Sequence, residues 1–446
     1  MQPELTVMIG LGKTGLSCAR YLVPRRKSVA VIDSRMIPPC IQELRSLFPH
    51  VPVYLDGTYE DVLDQANEIV VSPGVCIREP AIATQIARGI QPIGDIELFV
   101  REATAPIITI TGSNGKSTVT TLVGEMAKTA GKRVVVGGNL GTPALELLSD
   151  NAELYVLELS SFQLETTYSL KAAAATILNI SPDHLDRYDT YQDYIDAKLR
   201  IYTGCKVAVM NREDTFTFPS HSSTSISSVF SFGLSDPKVN EFGLRKINNE
   251  LFLAFGAKNL LEVKKLKLRG QHQYLNALAA LALGHSVNLP MDAMLETLRS
   301  FTGLRHRCQW VAEKNGVAWY NDSKATNVGA TLAALQGLGP EISGKIVLLA
   351  GGLGKNADFL SLRNGVKDYV RELILFGQDK NQLKQALQDV VAVKEVMNLS
   401  EAIHLSEKIA KVGDIVLLSP ACASFDMFRN FEHRGDTFCE LVTAVL

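Results

Sequence analysis

The sequence predicts an α/β protein of three units, each a mostly parallel sheet covered by helices, and three observations carry that reading. Short apolar, β-rich runs alternate with helical patterns over most of the chain, as parallel sheets with crossover helices require. Two glycine-rich turns, GLGKTG at 10–15 and TGSNGKST at 111–118, directly follow strand-like runs and open helical ones. The length, 446 residues, exceeds what one hydrophobic core organises.

The expected strands, in order, are Leu5–Ile9, Val29–Ile32, Ile69–Val71, Ile107–Thr111, Val134–Val136, Leu154–Leu157, Thr176–Ile180, Val207–Met210, Ile346–Ala350, Leu373–Phe376 and Ile415–Leu418. The first unit is complete by about residue 93, and a fresh strand and glycine turn start at Ile107. The stretch 212–268 breaks the rhythm: the Ser-rich SHSSTSISSVFS reads as loop, and the alternating ELFLAF as an antiparallel excursion. A helical pattern resumes over Tyr274–Leu283, and the turn-forming FTGLRHRCQW places a second boundary near 303. The domains expected are therefore 1–93, 94–303 and 304–446.

Composition excludes several function classes. With 45 Lys+Arg against 47 Asp+Glu and no block of like charge, the chain offers no extended nucleic-acid surface. Hydrophobic residues make up 46% and charged residues 21%, which supports packed cores rather than disorder. MQPELTVMIG lacks a basic n-region followed by an apolar h-region, and no apolar run approaches the roughly 18 residues that span a bilayer. A cytoplasmic protein without membrane or nucleic-acid partners is expected, with a monomer as the default. The cysteines at 18, 40, 76, 205, 308, 422 and 439 are scattered with no C-x-x-C spacing, so they read as reduced core residues.

Gly10, Gly12 and Gly15 form G-x-G-x-x-G after a strand, with Asp33 ending the next strand. Backbone N–H groups and a helix N-terminus there can receive a phosphate, whether of NAD(P) or of another nucleotide-linked ligand, and the same glycines also serve plain strand–helix packing. In TGSNGKST the backbone cradles phosphates, Lys116 places charge on the terminal ones and Ser117 offers a magnesium ligand. The loop departs from G-x-x-x-x-G-K-[ST], since Ile110 stands five before Gly115. Glu158 closes a strand 40 residues after the phosphate loop, the end of an α/β sheet where ligands bind, so it can face a metal there. Asp183 and His184 follow another strand in NISPDHLDRY. Taken by spacing alone, Lys198 is a surface lysine. In the last third NDSKATN (321–327), GGLGK (351–355) and SPACAS (419–424) each follow a strand and carry lysines and hydroxyls suited to carboxylates or phosphates.

GLGKTGLSC, DSRMIPP, TGSNGKSTVTTLVGEMAK, VGGNLG, LELSSFQLE, DHLDRY, AKLRIY, GLRHR, NDSKATN, GGLGKNADF and LSPACASFDMFRNFEHRG together resemble the Mur ligases, ATP-dependent amide-bond-forming enzymes of peptidoglycan synthesis, from residue 5 to the C-terminus and most weakly over 212–268. NDSKATN and the C-terminal string, with the N-terminal GLGKTGLSC, resemble the D-glutamate-adding branch. The resemblance implies a Rossmann-like N-terminal domain, a central P-loop ATPase domain and a Rossmann-like C-terminal domain. It also implies ATP-driven joining of D-glutamate to UDP-N-acetylmuramoyl-L-alanine through an acyl phosphate.

Carried over by motif, Gly112, Ser113, Asn114, Gly115, Lys116, Ser117 and Thr118, with Asn276, Arg307, Asp322 and Lys324, would hold ATP. Ser117, Glu158, His184 and a carbamylated Lys198 would hold two magnesium ions; a carbamate supplies the oxygens that an ammonium cannot. Lys116, Glu158, His184 and Lys198 form the implied catalytic set. Thr14, Asp33, Ser34, Ser72, Gly74 and Asn139 would contact the UDP-sugar, and Thr326, Lys355, Ser424 and Phe431 the D-glutamate. Three positions depart from the family pattern: Gln273 stands where Asn is usual, and Arg305 and Cys308 where Pro and Phe are common. The longer amide of Gln273 argues against a nucleotide contact. Two rival readings remain at this stage. An NAD-dependent oxidoreductase leaves TGSNGKST unexplained, and a P-loop switch without small-molecule chemistry leaves the C-terminal loops idle. Within the family, ligases adding L-alanine or a diamino acid are the alternative.

Overall fold

The computed structural model describes residues 4–25, 28–57, 60–183, 187–219, 225–268, 270–355 and 357–445. Leu5–Ile9 (β1), Ser28–Asp33 (β2), Val53–Leu55 (β3) and Glu68–Val71 (β4) form an all-parallel sheet of order β3-β2-β1-β4. The inner strands are apolar on both faces because helices cover both. β3 is absent from the expected set, since VYL is only three residues long and half-buried at the sheet edge, too short to stand out as a run.

The central sheet comprises Ile107–Thr111 (β5), Val134–Gly138 (β6), Leu154–Glu158 (β7), Ala174–Ile177 (β8), Val207–Asn211 (β9), Ser228–Phe232 (β10), Glu241–Ile247 (β11), Glu250–Phe255 (β12) and Lys258–Glu262 (β13). Its order is β13-β12-β11-β10-β9-β8-β5-β7-β6; β12 runs antiparallel to both its neighbours and the other pairs are parallel. The antiparallel excursion at ELFLAF is therefore present. The Ser-rich segment corrects the loop expectation in part: Ser228–Phe232 is a strand paired to β9, its Ser231 and Phe232 buried, while 220–224 lie outside the described residues. β8 also differs, starting at Ala174 rather than Thr176 and ending at Ile177 rather than Ile180. Beyond it, Asn179 leaves the ladder to bond the phosphate loop, its O accepting from Ser113 N at 2.8 Å. The helix expected over Tyr274–Leu283 spans Gln271–Ser286 and is buried nearly all round, which mutes its periodicity.

The third sheet holds Gln309–Lys314 (β14), Val317–Asn321 (β15), Ile346–Gly351 (β16), Val370–Phe376 (β17), Ala392–Glu395 (β18) and Ile415–Leu418 (β19), in the order β14-β15-β19-β16-β17-β18. Only the β14–β15 edge is antiparallel. β14, β15 and β18 were not anticipated: they are edge-side or half-buried strands with interleaved charges, such as AVKE.

The described structure is thus three α/β units with mostly parallel sheets. One apolar core runs from the first sheet, through Ile96 and Phe99 of the helix Asp95–Glu102, to Tyr155 and Leu157 of the central sheet, so these two units pack as neighbours. All seven cysteines are free. Among the described residues no helix is long and apolar enough to cross a membrane.

Candidate active site

The phosphate loop lies where strand order reverses: β5 is flanked by β7 and β8, and the turn after β5 faces the crevice outside the carboxyl ends of all three. The helix Lys116–Thr129 starts at Gly115, whose φ of +83° is left-handed. Asn179 fastens the loop, its Oδ1 accepting from Asn114 N at 2.8 Å and its Nδ2 donating to Asn114 O at 3.0 Å. Ser113 Oγ donates to Ser181 O and lies 2.9 Å from Tyr194 OH. A Cβ on Gly115 would stand 2.5 Å from Asn276 Oδ1, in a backbone region costing a non-glycine residue about 1–2 kcal/mol. Gly115→Ala is therefore expected to weaken ATP binding by roughly tenfold or more, the equivalent of that strain, measured by calorimetric titration with a non-hydrolysable ATP analogue.

Two lysines converge on one carbonyl. Lys116 Nζ donates to Gly112 O at 2.8 Å and Ser113 O at 3.0 Å, and Lys198 Nζ donates to the same Gly112 O at 3.2 Å. The helix Tyr191–Leu199, started by a Thr190–Asp193 capping box, carries Lys198 inward until only 2% of it is exposed. Burial first, then the Lys116 charge, holds the Lys198 amine well below the usual lysine value; burial also lowers Lys116. Across the crevice Glu158 ends β7, its Oε1 accepting from Asn139 Nδ2 at 2.9 Å. Its Oε2 is buried with no hydrogen-bond partner among the described residues. A bare carboxylate oxygen, the Ser117 hydroxyl and a lysine whose charge is disfavoured suit a hard divalent cation once that lysine is a carbamate. Among the described residues no three His, Cys, Asp or Glu side chains form a ready-made metal cluster. His184 lies outside the described residues.

The C-terminal unit supplies the facing wall of the crevice. Arg307 Nη2 donates to Ser117 Oγ at 2.7 Å, bridging two units. Asp322 accepts from Cys308 N at 3.0 Å and Ser419 Oγ at 2.8 Å, and burial pushes it up to about 6. Lys324 sits with Nζ 3.8 Å above the Phe431 ring; burial, then Arg307, lowers it to about 8. A cavity of about 480 Å³ joins Asn114, Gly115, Thr118 and Asn276 to Arg307, Asp322 and Lys324. Gln273, set aside from its side-chain length, also lines this cavity and accepts from Asn276 Nδ2 at 3.2 Å. Arg305 is exposed and pairs with Asp436, and Cys308, at φ +45°, presents its N–H to Asp322.

A second cavity of about 570 Å³ lies between the first two units and gathers all of Thr14, Asp33, Ser34, Ser72, Gly74 and Asn139. The first glycine turn is tight: a Cβ on Gly15 would fall 2.0 Å from Gly10 O. Asp33 is already engaged, with Leu11 N at 2.7 Å and Arg35 Nε and Nη2 at 2.8 and 2.7 Å; burial opposes its ionisation, but these bonds hold it below the usual carboxylate range. Gln163 also lines this cavity, its Nε2 donating to Asp95 Oδ2 at 3.1 Å.

The loops after β15, β19 and β16 lie side by side because those strands are parallel neighbours, which brings Thr326, Ser424 and Lys355 to one edge. Leu353 and Ala423 exchange backbone hydrogen bonds at 2.9 Å, tying the Lys355 loop to that of Ser424, and Ser323 Oγ donates to Phe431 O at 2.9 Å. Buried Arg434, which sequence reasoning missed, donates to Ser323 Oγ, Ser323 O and Cys422 O at 3.0, 2.8 and 3.1 Å. No spacing marks such a residue, since arginines are normally exposed.

Three parallel-sheet units around a phosphate loop, with one cavity shared by the first two and another by the last two, define a multidomain nucleotide-binding α/β protein. Models of the Mur ligase MurD-like N-terminal domain, the Mur ligase middle domain and the Mur ligase glutamate ligase domain match residues 4–94, 110–284 and 306–422. The chain belongs to the Mur ligase family. It is 55% identical over 436 residues to a UDP-N-acetylmuramoylalanine--D-glutamate ligase of Pseudomonas fluorescens, covering 98% of this chain and 97% of the relative. A Legionella pneumophila protein of the same description is 49% identical over 444 residues, covering 99% of each. Among solved structures, MurF ligase from Thermotoga maritima in complex with ADP aligns with a TM-score of 0.63 at 16% identity, over 100% of this chain and 96% of that one. UDP-N-acetylmuramate-alanine ligase MurC from the same organism aligns at 0.60 and 20% identity over the whole of both chains.

Proposed function

We propose that this chain is an ATP-dependent ligase that joins D-glutamate to UDP-N-acetylmuramoyl-L-alanine, giving ADP, phosphate and the dipeptide-bearing nucleotide, as a cytoplasmic step of peptidoglycan precursor synthesis. The observation that carries it is the convergence of the phosphate loop with Arg307, Asp322 and Lys324 on one cavity, while Asn139 of the second cavity bonds Glu158 beside that loop. Near-full-length similarity to D-glutamate ligases supports the choice of amino acid.

In this reading Thr14, Asp33, Ser34, Ser72, Gly74 and Asn139 hold the UDP-sugar so that its terminal carboxylate reaches the γ-phosphate. A carboxylate oxygen attacks that phosphorus and ADP departs; the D-glutamate nitrogen then attacks the acyl carbon, phosphate departs and the nitrogen loses its proton. Lys116 and Arg307 place positive charge on the transferring phosphoryl, where fixed charge stabilises the transition state. Ser117, Glu158, His184 and a carbamylated Lys198 would hold two magnesium ions, which neutralise phosphate charge when bound. Asn276, Asp322 and Lys324 hold the rest of the nucleotide, and Thr326, Lys355, Ser424 and Phe431 clamp the glutamate.

Clamping both carboxylates of the amino acid fixes where the amine points, and inverting the α-carbon aims it away from the acyl carbon. Phosphate release with UDP-N-acetylmuramoyl-L-alanine and ATP is therefore expected with D-glutamate and to be near background with L-glutamate, L-alanine or meso-diaminopimelate. Comparable turnover with any of those three would overturn the amino-acid assignment.

A further inference from the structure

The two units that form the 570 Å³ cavity hold each other by an exchange of arginines. Arg187, in the loop after β8, donates through Nη1 to Gly74 O at 3.1 Å and through Nη2 to Pro73 O at 3.3 Å and to Val75 O. Those carbonyls belong to the turn Ser72, Pro73, Gly74 and Val75, all four of which line the cavity. On its other side Ser72 Oγ donates to Gly10 O at 2.8 Å, so the turn is gripped between the first glycine loop and Arg187. In return Arg78, from the first unit, donates to Arg187 O at 3.4 Å and to Glu165 Oε1 at 3.2 Å.

The path continues to the phosphate loop. The Arg187 guanidinium lies 4.3 Å above the Phe162 ring, and Phe162 stacks on Tyr188 at 5.8 Å. Tyr188 meets Tyr194 edge-on at 5.4 Å, and Tyr194 OH is 2.9 Å from Ser113 Oγ. Planar guanidinium forks suit such a junction, because several N–H groups can serve adjacent acceptors while the face stays stacked.

We propose that Arg187, with Arg78 as its counterpart, is a positioning residue: it sets the first unit against the phosphate loop, so that a substrate carboxylate held in one unit meets a phosphoryl group held in the other. The inference rests on the ligase reading above. It assigns Arg187 no contact with substrate or nucleotide, so its loss separates turnover from binding. Thr14, Asp33, Ser34, Ser72 and Gly74 stay with the first unit and only Asn139 of the sugar-side set moves with the phosphate loop in the second, so binding falls far less than turnover, whereas the distance between the two reacting groups is then held by the shared apolar core alone.

The test is Arg187→Met, which keeps the length and the apolar contact with Phe162 but removes the donors. Because misplacement by about 1 Å costs on the order of a hundredfold in rate, kcat is expected to fall by about thirty- to a hundredfold. Calorimetric Kd values for the UDP-sugar and for a non-hydrolysable ATP analogue should each stay within about threefold, as expected when neither site is touched. Arg187→Lys, which has a charge but no fork, should recover only part of kcat. Arg78→Met should lower kcat in the same direction, and the double variant should lose less than the product of the single losses. If Arg187→Met does not fold, Arg187→Lys and Arg78→Met carry the same measurement. Unchanged kcat, or a fall in kcat matched by an equal loss of UDP-sugar affinity, would overturn the proposal. Wild-type chain assayed in parallel reports on the ligase reading separately.

Discussion

Replacing Lys116 by alanine is expected to lower amide-bond formation at least several-hundred-fold, about the effect of deleting one fixed charge that faces a developing anion. Affinity for UDP-N-acetylmuramoyl-L-alanine should stay within about threefold, since Lys116 lines no part of the second cavity and couples to it only indirectly, through Glu158 and Asn139. Lys116 opens the helix after β5 and bonds back to Gly112 and Ser113, whereas the second cavity is built around the turn after β1 and the Ser72 loop. Calorimetric titration with the UDP-sugar beside the phosphate-release assay separates the two quantities. If affinity fell as far as activity, the division of ligands between the first two units would be wrong.

Lys198→Ala should be nearly inactive and should regain part of its activity with short carboxylic acids, whose oxygens can take the vacated position. Lys198 is buried, its amine shares one carbonyl acceptor with Lys116, and its charge is opposed by burial and by that neighbour. An uncharged amine is the form that adds to carbon dioxide. The C–N bond forms and a proton leaves, so the side chain exchanges a cation that repels Lys116 for an anion that attracts it. At neutral pH this requires an amine held well below the ordinary lysine value, the direction found here. Isotopically labelled carbon dioxide should give a carbamate signal in the wild type that is missing from the variant. Wild-type turnover of Lys198→Ala in bicarbonate-depleted buffer would sink the idea.

The two lysines show how differently site residues can be read before folding. Lys116 was legible because strand, glycine turn, Lys-Ser-Thr and helix stand together in the chain, and local order alone makes a phosphate cradle. Lys198 was not: YQDYIDAKLRIY has the look of a solvated helix, and only similarity to a family picked it out. Burial, the shared carbonyl and the depressed basicity all arise from segments far apart in sequence. Gln273 is a different case: the length of its side chain argues against a nucleotide contact, while the helix Gln271–Ser286 places it on the wall of the 480 Å³ cavity beside Asn276.

Strands apolar on both faces, such as Ile346–Gly351, declared themselves, as did the glycine turns after them, because a fully buried parallel strand and a left-handed turn each restrict which residues they accept. The class of fold and the identity of the phosphate loop therefore follow from local pattern. Edge strands escaped for two reasons: Val53–Leu55 is apolar but only three residues long, and Ala392–Glu395, partnered on one side only, is free to carry charged residues. Tertiary structure alone decided the order of strands in each sheet, and with it which loops share an edge. It also decided that Arg307 reaches Ser117, that Arg434 ties two loops to a helix, and that Arg187 and Arg78 cross between units. The physical reason is range: helix starts, turns and buried strands are selected by neighbours a few residues away, whereas a buried arginine is tolerated only where acceptors from distant segments have already been brought together.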